Sequence, residues 1–517
     1  MKLNYKRTIC VGFAFFLICA FWQAYDNTIP LILTNKFGMS QAWSGVIMAL
    51  DNILALFLLP LFGAISDKHA GKRGRRTPFI VFGTIVAAIA FISLSLVDDA
   101  QLKNIDAAAA IDDPAALRVV YQQEADRTLK TPDGETFVLE DTFTEDEFAA
   151  ITSQVTNAEG KTVTNHDYTN YVVPARQAYA HQTTVQHPGA LIGFIALLLV
   201  VLVAMATFRS PAVALMPDVT IKPLRSKANA VINLMGTAGG ILVLAIGMAF
   251  ATSSVRNSLM SYTAYFAVIA GIMLLALLIF RLTVNEPKFV AEMQADSKRF
   301  GIDNGGDDAP AGSGKLGKAE RRSLIFLLLS IVLWFFGYNA VTSKYSVYAS
   351  NILHKDYNLT LMLAQAAAIV AYLPVGIVAS KIGRKKTILG GVVMLAVAFG
   401  VAAFLNAESP TMLMNAMFCL AGIGWATINV NSFPMVVEMC SGSDVGRYTG
   451  FYYTASMAAQ VVTPMFSGFL MDKLGMTVLF PYAAIFVVGA FVTMLFVRHG
   501  DSRPIPAKGL EALDVDD

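Results

Sequence analysis

Long apolar stretches alternate along this chain with short charged ones, and each apolar stretch runs past the roughly 18 residues that mark a bilayer-spanning helix. Six are read near 7–33, 41–66, 77–97, 188–208, 226–252 and 258–283, and six more near 322–346, 357–380, 386–406, 410–432, 447–471 and 477–498. Lys2, Lys6 and Arg7 ahead of the first stretch imitate a signal peptide. No small-residue cleavage site follows, however, and Gln23 and Asp26 interrupt the run, so a retained helix is expected. Two connections are long. Residues 284–321, with Gly305-Gly306, Pro310 and glycines at 312 and 314 among charges, read as a flexible linker. Residues 98–187 read as a small folded insert between helices 3 and 4. Asp113-Pro114 predicts a helix to about Lys130, Pro132-Asp133-Gly134 a turn, and Thr144 with Glu147 a capping box.

Composition agrees with membrane burial. Of 517 residues 55% are hydrophobic and 15% charged, against roughly 25% charged in an ordinary soluble domain, which argues against a water-soluble enzyme. A formal charge of +2 implies no polyanion-binding surface and no nucleic-acid partner. Cys10, Cys19, Cys419 and Cys440 lie in or beside apolar stretches, so no disulfide framework is expected. Positive residues resist translocation. With the N-terminus inside, the seven cytoplasmic segments and their flanks carry 28 basic residues, whereas the short outer segments hold Lys36, Arg256, Lys344, Lys355 and Lys473. Both termini are therefore expected in the cytoplasm of a multi-pass cell-membrane protein. The outer insert, with 16 acids and 6 bases, carries −10; it reads equally as a spacer or a lid, and need not cross to the other bundle.

The two halves echo each other. Gly63-Ala-Ile-Ser-Asp67 followed by Lys72-Arg-Gly-Arg75-Arg76-Thr77 matches Gly376-Ile-Val-Ala-Ser380 followed by Gly383-Arg384-Lys385-Lys386-Thr387. Pro211, Asp218 and Arg225 after helix 4 likewise match Pro434, Glu438 and Arg447 after helix 10. Each set puts a carboxylate beside an arginine at the inner boundary, as a gate latch would, although basic loops also follow from topology alone. The Gly-x-x-x-Asp segment with its basic run resembles the helix 2–3 loop of the major facilitator superfamily. Arg73-Gly-Arg-Arg-Thr-Pro-Phe-Ile80, with Ser210-Pro-Ala-Val-Ala-Leu-Met-Pro-Asp218 and Arg225-Ser-Lys-Ala-Asn229-Ala, resembles the sucrose–proton symporters of the glycoside-pentoside-hexuronide family and their animal sucrose-transporter-like and bacterial relatives. The second half matches that family only in general plan. The resemblance implies an all-α membrane protein of twelve transmembrane helices in two pseudo-symmetric six-helix bundles. Its parts are a first bundle at 1–283 with the insert at 98–187, a cytoplasmic linker at 284–321, a second bundle at 322–498 and a tail at 499–517. Plant members usually carry a carboxylate in helix 4 and acids in helix 7; here helix 4 has none, and Tyr338-Asn339-Ala-Val-Thr342 is neutral.

An ionisable side chain in hydrocarbon costs at least about 2.5–3.5 kcal/mol, so one found there usually faces a cavity. Asp26 and Asp51 lie well inside the predicted spans, and antiparallel neighbours would bring them to one outer-half cavity as proton-coupling groups. Burial and mutual repulsion both favour a protonated carboxyl, as a proton carrier needs, while Asn27 and Asn52, themselves among the expected sugar contacts, are available to fix them by hydrogen bonds instead. A sugar presents hydroxyls and apolar ring faces, so amides beside aromatic rings are the expected contacts. Trp22, Gln23 and Asp26 share a face of helix 1; Asn229, Asn233 and Thr237 share one of helix 5. Trp334, Tyr338 and Asn339, then Trp425 and Asn429, then Tyr453, Ser456 and Gln460 supply the second half. Any single member is more often a packing amide or belt aromatic. Gly63, Asp67, Arg75, Arg76, Asp218, Arg225, Glu438 and Arg447 are the expected cytoplasmic gate. The sequence shows no Walker loop, no His/Cys metal spacing and no nucleophile constellation, so no metal or cofactor is expected and ATP-driven transport is excluded.

These readings converge on a secondary transporter taking up a sugar, a glucoside such as sucrose or maltose, with a proton by alternating access, its partners being sugar, proton and lipid bilayer. Two alternatives stay open, a proton-antiport exporter of another small solute and a non-transporting membrane sensor. The sequence does not name the sugar, and no oligomer is required.

Overall fold

The computed structural model describes residues 3–69, 71–157, 160–221, 224–299, 317–437, 439 and 445–500. Twelve long helices carry the membrane part: α1 (Tyr5–Asn35), α2 (Gln41–Lys68), α3 (Thr77–Asn104), α4 (Gly189–Asp218), α5 (Arg225–Ala249), α6 (Thr263–Thr283), α7 (Lys318–Tyr348), α8 (Tyr357–Ile382), α9 (Arg384–Ala402), α10 (Thr411–Val437), α11 (Val445–Leu474) and α12 (Leu479–Leu495). Among the described residues ten are long and apolar enough to cross a bilayer by length and composition, and α8 and α11 complete the set. Backbone amides left unpaired in lipid are costly, which is why the apolar runs close into helices. Prolines at 60, 211, 217, 374, 434 and 464 sit inside helices, where neighbouring helices tolerate them.

Packing reproduces the repeat. In the first half α1 packs on α5 and α6, α3 on α4 and α6, and α2 on α4; in the second α7 packs on α11 and α12, α9 on α10 and α12, and α8 on α10. Each half therefore has its own core, with Phe21, Phe91 and Phe266 in one and Tyr345, Phe418 and Phe480 in the other. The halves meet along two symmetry-related seams, α2 against α11 and α5 against α8, with α1 and α7 between them.

Several boundaries differ from the sequence reading. Helix 4 does not stop near 208. It continues through Pro211 and Pro217 to Asp218, so Arg209 is a helical residue of the membrane part. Residues 286–299 of the expected flexible linker form a helix, anchored by Met293 against Ile221 and Leu224; residues 300–316 and 501–517 lie outside the described residues. In the insert the helix ends at Glu124 rather than near Lys130, because residues 128–130 pair as β1 (Thr128–Lys130) with β2 (Thr136–Val138) around the Pro-Asp-Gly turn. The Thr144–Glu147 capping box is present, and the insert has its own core of Leu117, Val120, Phe148, Tyr168 and Val172.

The insert does cross to the other half. The amide of Met476 donates to the Pro132 carbonyl at 2.5 Å and Lys130 Nζ to the Asp472 carbonyl at 3.2 Å. Gly134 and Gly475, at φ +100° and +93°, lie back to back there; a Cβ on Gly475 would sit 2.1 Å from the Asp133 carbonyl. His166 of the insert also stacks edge-on with His354 beyond α7, ring centroids 4.9 Å apart. The expectation that the insert rides on its own bundle is thereby corrected. At the turn itself the contact is backbone to backbone, through Pro132, Gly134, Gly475 and Met476, which leaves no side-chain pattern to read there.

Candidate functional site

A cavity of about 1220 Å³ lies between the halves. It exceeds the usual range of roughly 300–1000 Å³ for a small-molecule site. Its wall follows α1 from Phe15 to Asn27, α4 from Arg209 to Pro217 and α5 from Asn229 to Gly240, then α7, α8, α10 and α11. The parts of α4 and α5 that line it run to the ends of these helices at the face bearing the N-terminus. Toward the insert face both seams are closed.

Of the sugar-contact candidates, Trp22, Gln23, Asn27, Asn229, Asn233, Tyr338, Trp425 and Tyr453 line this cavity, together with Thr237 and Thr342. Trp425 lies flat on Tyr338, ring centroids 3.7 Å apart and planes within 2°, which makes an aromatic platform in the wall. The side-chain nitrogens of Trp22 and Asn27 are buried with no hydrogen-bond partner among the described residues. Trp334 does not join the wall: it is wholly buried in the second core. Asn339, Asn429 and Gln460 are absent from the lining as well. Helical spacing turns Asn339 off the face of its neighbour Tyr338, but it does not account for Asn429 and Gln460, which lie one and two turns from Trp425 and Tyr453.

Asp26 lines the cavity. Asp51 stands behind it, accepting from its neighbour Asn52 at 2.8 Å and close enough to act on Asp26 electrostatically. Asn52 therefore holds a carboxylate and is not itself in the wall. The charge that sequence reasoning missed is Arg209. It lines the same cavity, lies 5.7 Å from the Trp22 ring centre and acts on both carboxylates. The signal was available, since Ser210 to Asp218 continues the helix with no further charge until its end. Gln365 was also missed. It donates to Gln23 across the cavity at 2.5 Å, and a lone amide in the apolar run of α8 was the only sign of it.

The family profile described as Major Facilitator Superfamily matches residues 183–370 and 348–513, together well over half of the chain. The chain belongs to the Major Facilitator Superfamily. A second profile, MFS/sugar transport protein, matches residues 10–100. Among curated relatives, the MFS-type transporter ppzB of Metarhizium rileyi is 25% identical over 144 residues, 28% of this chain and 29% of that protein. The sucrose transport protein SUC4 of Arabidopsis thaliana is 40% identical over 55 residues, 11% of each. The chain thus spans under a third of the length of these relatives. Among solved structures, the inward-open xylose transporter XylE from E. coli superposes with a TM-score of 0.57 at 14% identity, covering 98% of both chains. The nucleoside transporter NupG superposes at 0.53 and 15%, covering 96% of this chain and all of that one. At such identities the likeness concerns the fold.

In this facilitator fold the charged residues proposed as a gate form a network within the first half. Arg76 pairs with Asp67 and, through Nε at 2.9 Å, with Asp218, which also takes Arg75 at 2.6 Å. Gly63 lets α2 approach α4, where a Cβ would meet Ser210 Oγ at 2.9 Å. A further member is Glu286, almost wholly buried, whose carboxylate accepts the amides of Arg75 and Arg76 at 2.8 and 3.0 Å, the amide of Thr77 at 2.8 Å and its hydroxyl at 2.7 Å. Glu286 thereby caps α3 from a distance of 209 residues. The side chains of Arg225, Glu438 and Arg447 lie outside the described residues. Asn358-Leu-Thr360 has the form of a glycosylation sequon, but Asn358 is 1% exposed and donates to Thr252 at 3.1 Å.

Proposed function

We propose that this protein is a secondary transporter that carries a sugar, a disaccharide glucoside such as sucrose or maltose, together with a proton across the cell membrane, with both termini in the cytoplasm. The observation that carries the reading is the composition of one cavity: unpaired donors on Trp22 and Asn27, amides on α1, α5 and α8, an aromatic platform, and a carboxylate–arginine group. The sugar-transport profile over residues 10–100 and the likeness of a short segment to a sucrose transport protein support the same substrate class.

The proton step follows from charge. Asp26, Asp51 and Arg209 sum to −1 when both acids are ionised, and a proton on one acid brings the group to zero. In a low-dielectric site that change alters the electrostatics around Arg209 and hence what it offers to a ligand. Asp51, held by Asn52 behind the wall, is assigned the coupled proton, and Asp26, between it and the ligand, tunes it. The reach of the lining toward the ends of α4 and α5 at the face bearing the N-terminus supports reading this conformation as the one that releases sugar to the cytoplasm. Uptake of a disaccharide panel into proteoliposomes under an imposed pH gradient tests the reading. Accumulation of a disaccharide driven by inward protons is expected; accumulation driven equally well without a gradient, or of none of the sugars, overturns it.

A further inference from the structure

We propose that Gln365 is a specificity-determining residue of the central site. Its amide bridge to Gln23 is the contact that neighbouring hydroxyls of the sugar replace. The proposal rests on the sugar-carrier reading and deepens it.

The bridge joins the two halves inside the cavity. Gln365 Nε2 on α8 donates to Gln23 Oε1 on α1 at 2.5 Å, and neither amide has another hydrogen bond among the described residues. Gly240 of α5 faces the pair, and a Cβ built there would lie 3.2 Å from Gln365 Oε1 and 3.4 Å from Gln23 Oε1, so the glycine leaves room for both amides. On the other side α10 is drawn tightly onto α8. A Cβ on Gly422 would sit 2.2 Å from the Ala364 carbonyl, and one turn further along α10 is Trp425 with its platform.

The chemistry of the pair selects its ligand. A primary amide offers two donors and two acceptor lone pairs, and the bridge uses only one donor and one acceptor. A sugar hydroxyl donates and accepts at once. Two neighbouring ring hydroxyls can therefore take over the bridge, each engaging one amide, while the ring's apolar face rests on an aromatic plane. An apolar solute entering here would strip two amides of partners, at a cost that a hydroxylated solute avoids.

Position gives the bridge a second consequence. Gln365 lies seven residues from Asn358, two helical turns along the same face of α8. There Asn358 and Tyr357 both donate to Thr252 beyond α5, at 3.1 and 2.8 Å. The Gln23–Gln365 bridge, between α1 and α8, thus lies two turns along α8 from the contact with Thr252 at the insert face. A ligand that exchanges its own hydroxyls for this bond reaches the seam directly.

The test is counterflow and equilibrium binding with the full-length reconstituted protein, using sucrose, maltose and their monodeoxy derivatives, for wild type, Gln23→Ala, Gln365→Ala, Gln365→Asn and the double alanine variant. Gln365→Asn keeps the amide but shortens its reach, and serves if the alanine variant folds poorly. Loss of one neutral hydrogen bond weakens binding of the parent sugar roughly three- to tenfold. The derivative lacking the contacted hydroxyl loses far less, so the preference for the parent falls, and the double variant loses little more than either single one. Equal losses for the parent and every derivative, or unchanged selectivity in a wild type that transports, would remove the assignment and leave the sugar reading standing. Exchange of no sugar by the wild type would remove both.

Discussion

The seam between α2 and α11 is closed by one carboxylate, and its removal has a calculable effect. Asp472, near the end of α11, accepts the backbone amides of Gln41 and Ala42 at 2.8 Å each, capping the first turn of α2 from the opposite half. Lys344 of α7, wholly buried, donates to the Gln41 carbonyl at 2.7 Å. The helices are close enough that a Cβ on Gly468 would lie 2.2 Å from the Gln41 carbonyl and one on Gly45 2.0 Å from that of Pro464. When the insert face opens, the α2 terminus gains water but loses its charged acceptor. An end cap is worth about 0.5–2 kcal/mol and a charge at a helix terminus about 0.3–1 kcal/mol. Asp472→Ala should therefore weaken the closed state by about 2 kcal/mol, raising the open fraction roughly 30-fold while that fraction is small. The assay is alkylation of a single cysteine at Thr342, in a chain freed of its native cysteines, by an impermeant thiol reagent added from the insert face. Thr342 lines the cavity, so a reagent added from the insert face is expected to reach it only when the seam opens. A rate unchanged within twofold in Asp472→Ala would refute the reasoning. Asp472→Asn, which keeps one acceptor and loses the charge, should fall between.

Asp51→Asn should still exchange sugar across the membrane but lose uphill accumulation driven by pH; full accumulation in that variant would move the proton elsewhere. Glu286→Ala removes the remote cap of α3 and should lower thermal stability by about 2–4 kcal/mol, measured by the unfolding midpoint in detergent, whereas Glu286→Gln should recover part of it. Burial, then the facing His166 and Lys355, hold the His354 imidazole down at about 4, against an opposing hydrogen bond between its Nε2 and the accepting Asn351 carbonyl. A histidine so depressed favours its neutral form, so the contact between insert and second half is at full strength above about pH 6.5 and weakens as pH falls toward 4. Amide hydrogen exchange at residues 349–356 should accelerate between pH 7 and pH 5 beyond its intrinsic trend, and His354→Asn, which suits the left-handed backbone there at φ +51°, should abolish that excess.

Much of the architecture was legible because lipid imposes it. Each helix needs an apolar run of fixed length, and the repeat of glycine, turn and basic cluster at 63–77 and 376–387 signalled the two-fold plan that the helix packing displays. The cavity wall was legible on α1 and α5, where amides and Trp22 recur at helical spacing. It was less so on α7 and α10. There aromatic and amide residues at helical spacing are expected in the wall together, although Trp334 is buried in the second core and Asn429 is absent from the lining. Arg209 was lost through a boundary. Two prolines and a serine after Phe208 read as a loop in water, but in a packed bundle neighbouring helices carry the backbone through them.

Beside the side-chain bonds of Tyr357 and Asn358 to Thr252, a second set of contacts between the halves at the insert face was the least legible, and its chemistry explains why. Asp472 meets backbone amides, Lys344 meets a backbone carbonyl, and the insert turn meets the second half through Pro132, Gly134 and Gly475. No complementary side chain exists at the other end of any of these bonds, so no charge pair or periodic pattern betrays them. The same feature suits a seam that must open. A backbone amide or carbonyl released from such a bond is taken over by water at a helix end, whereas a buried ion pair pulled apart would leave two uncompensated charges. The contrast is present in this chain. Lys36 and Asp98, both without solvent exposure and 2.6 Å apart, pair within the first half, where nothing has to separate. Between the halves, the bonds at Asp472 and Lys344 each place only one charged partner against the backbone of α2.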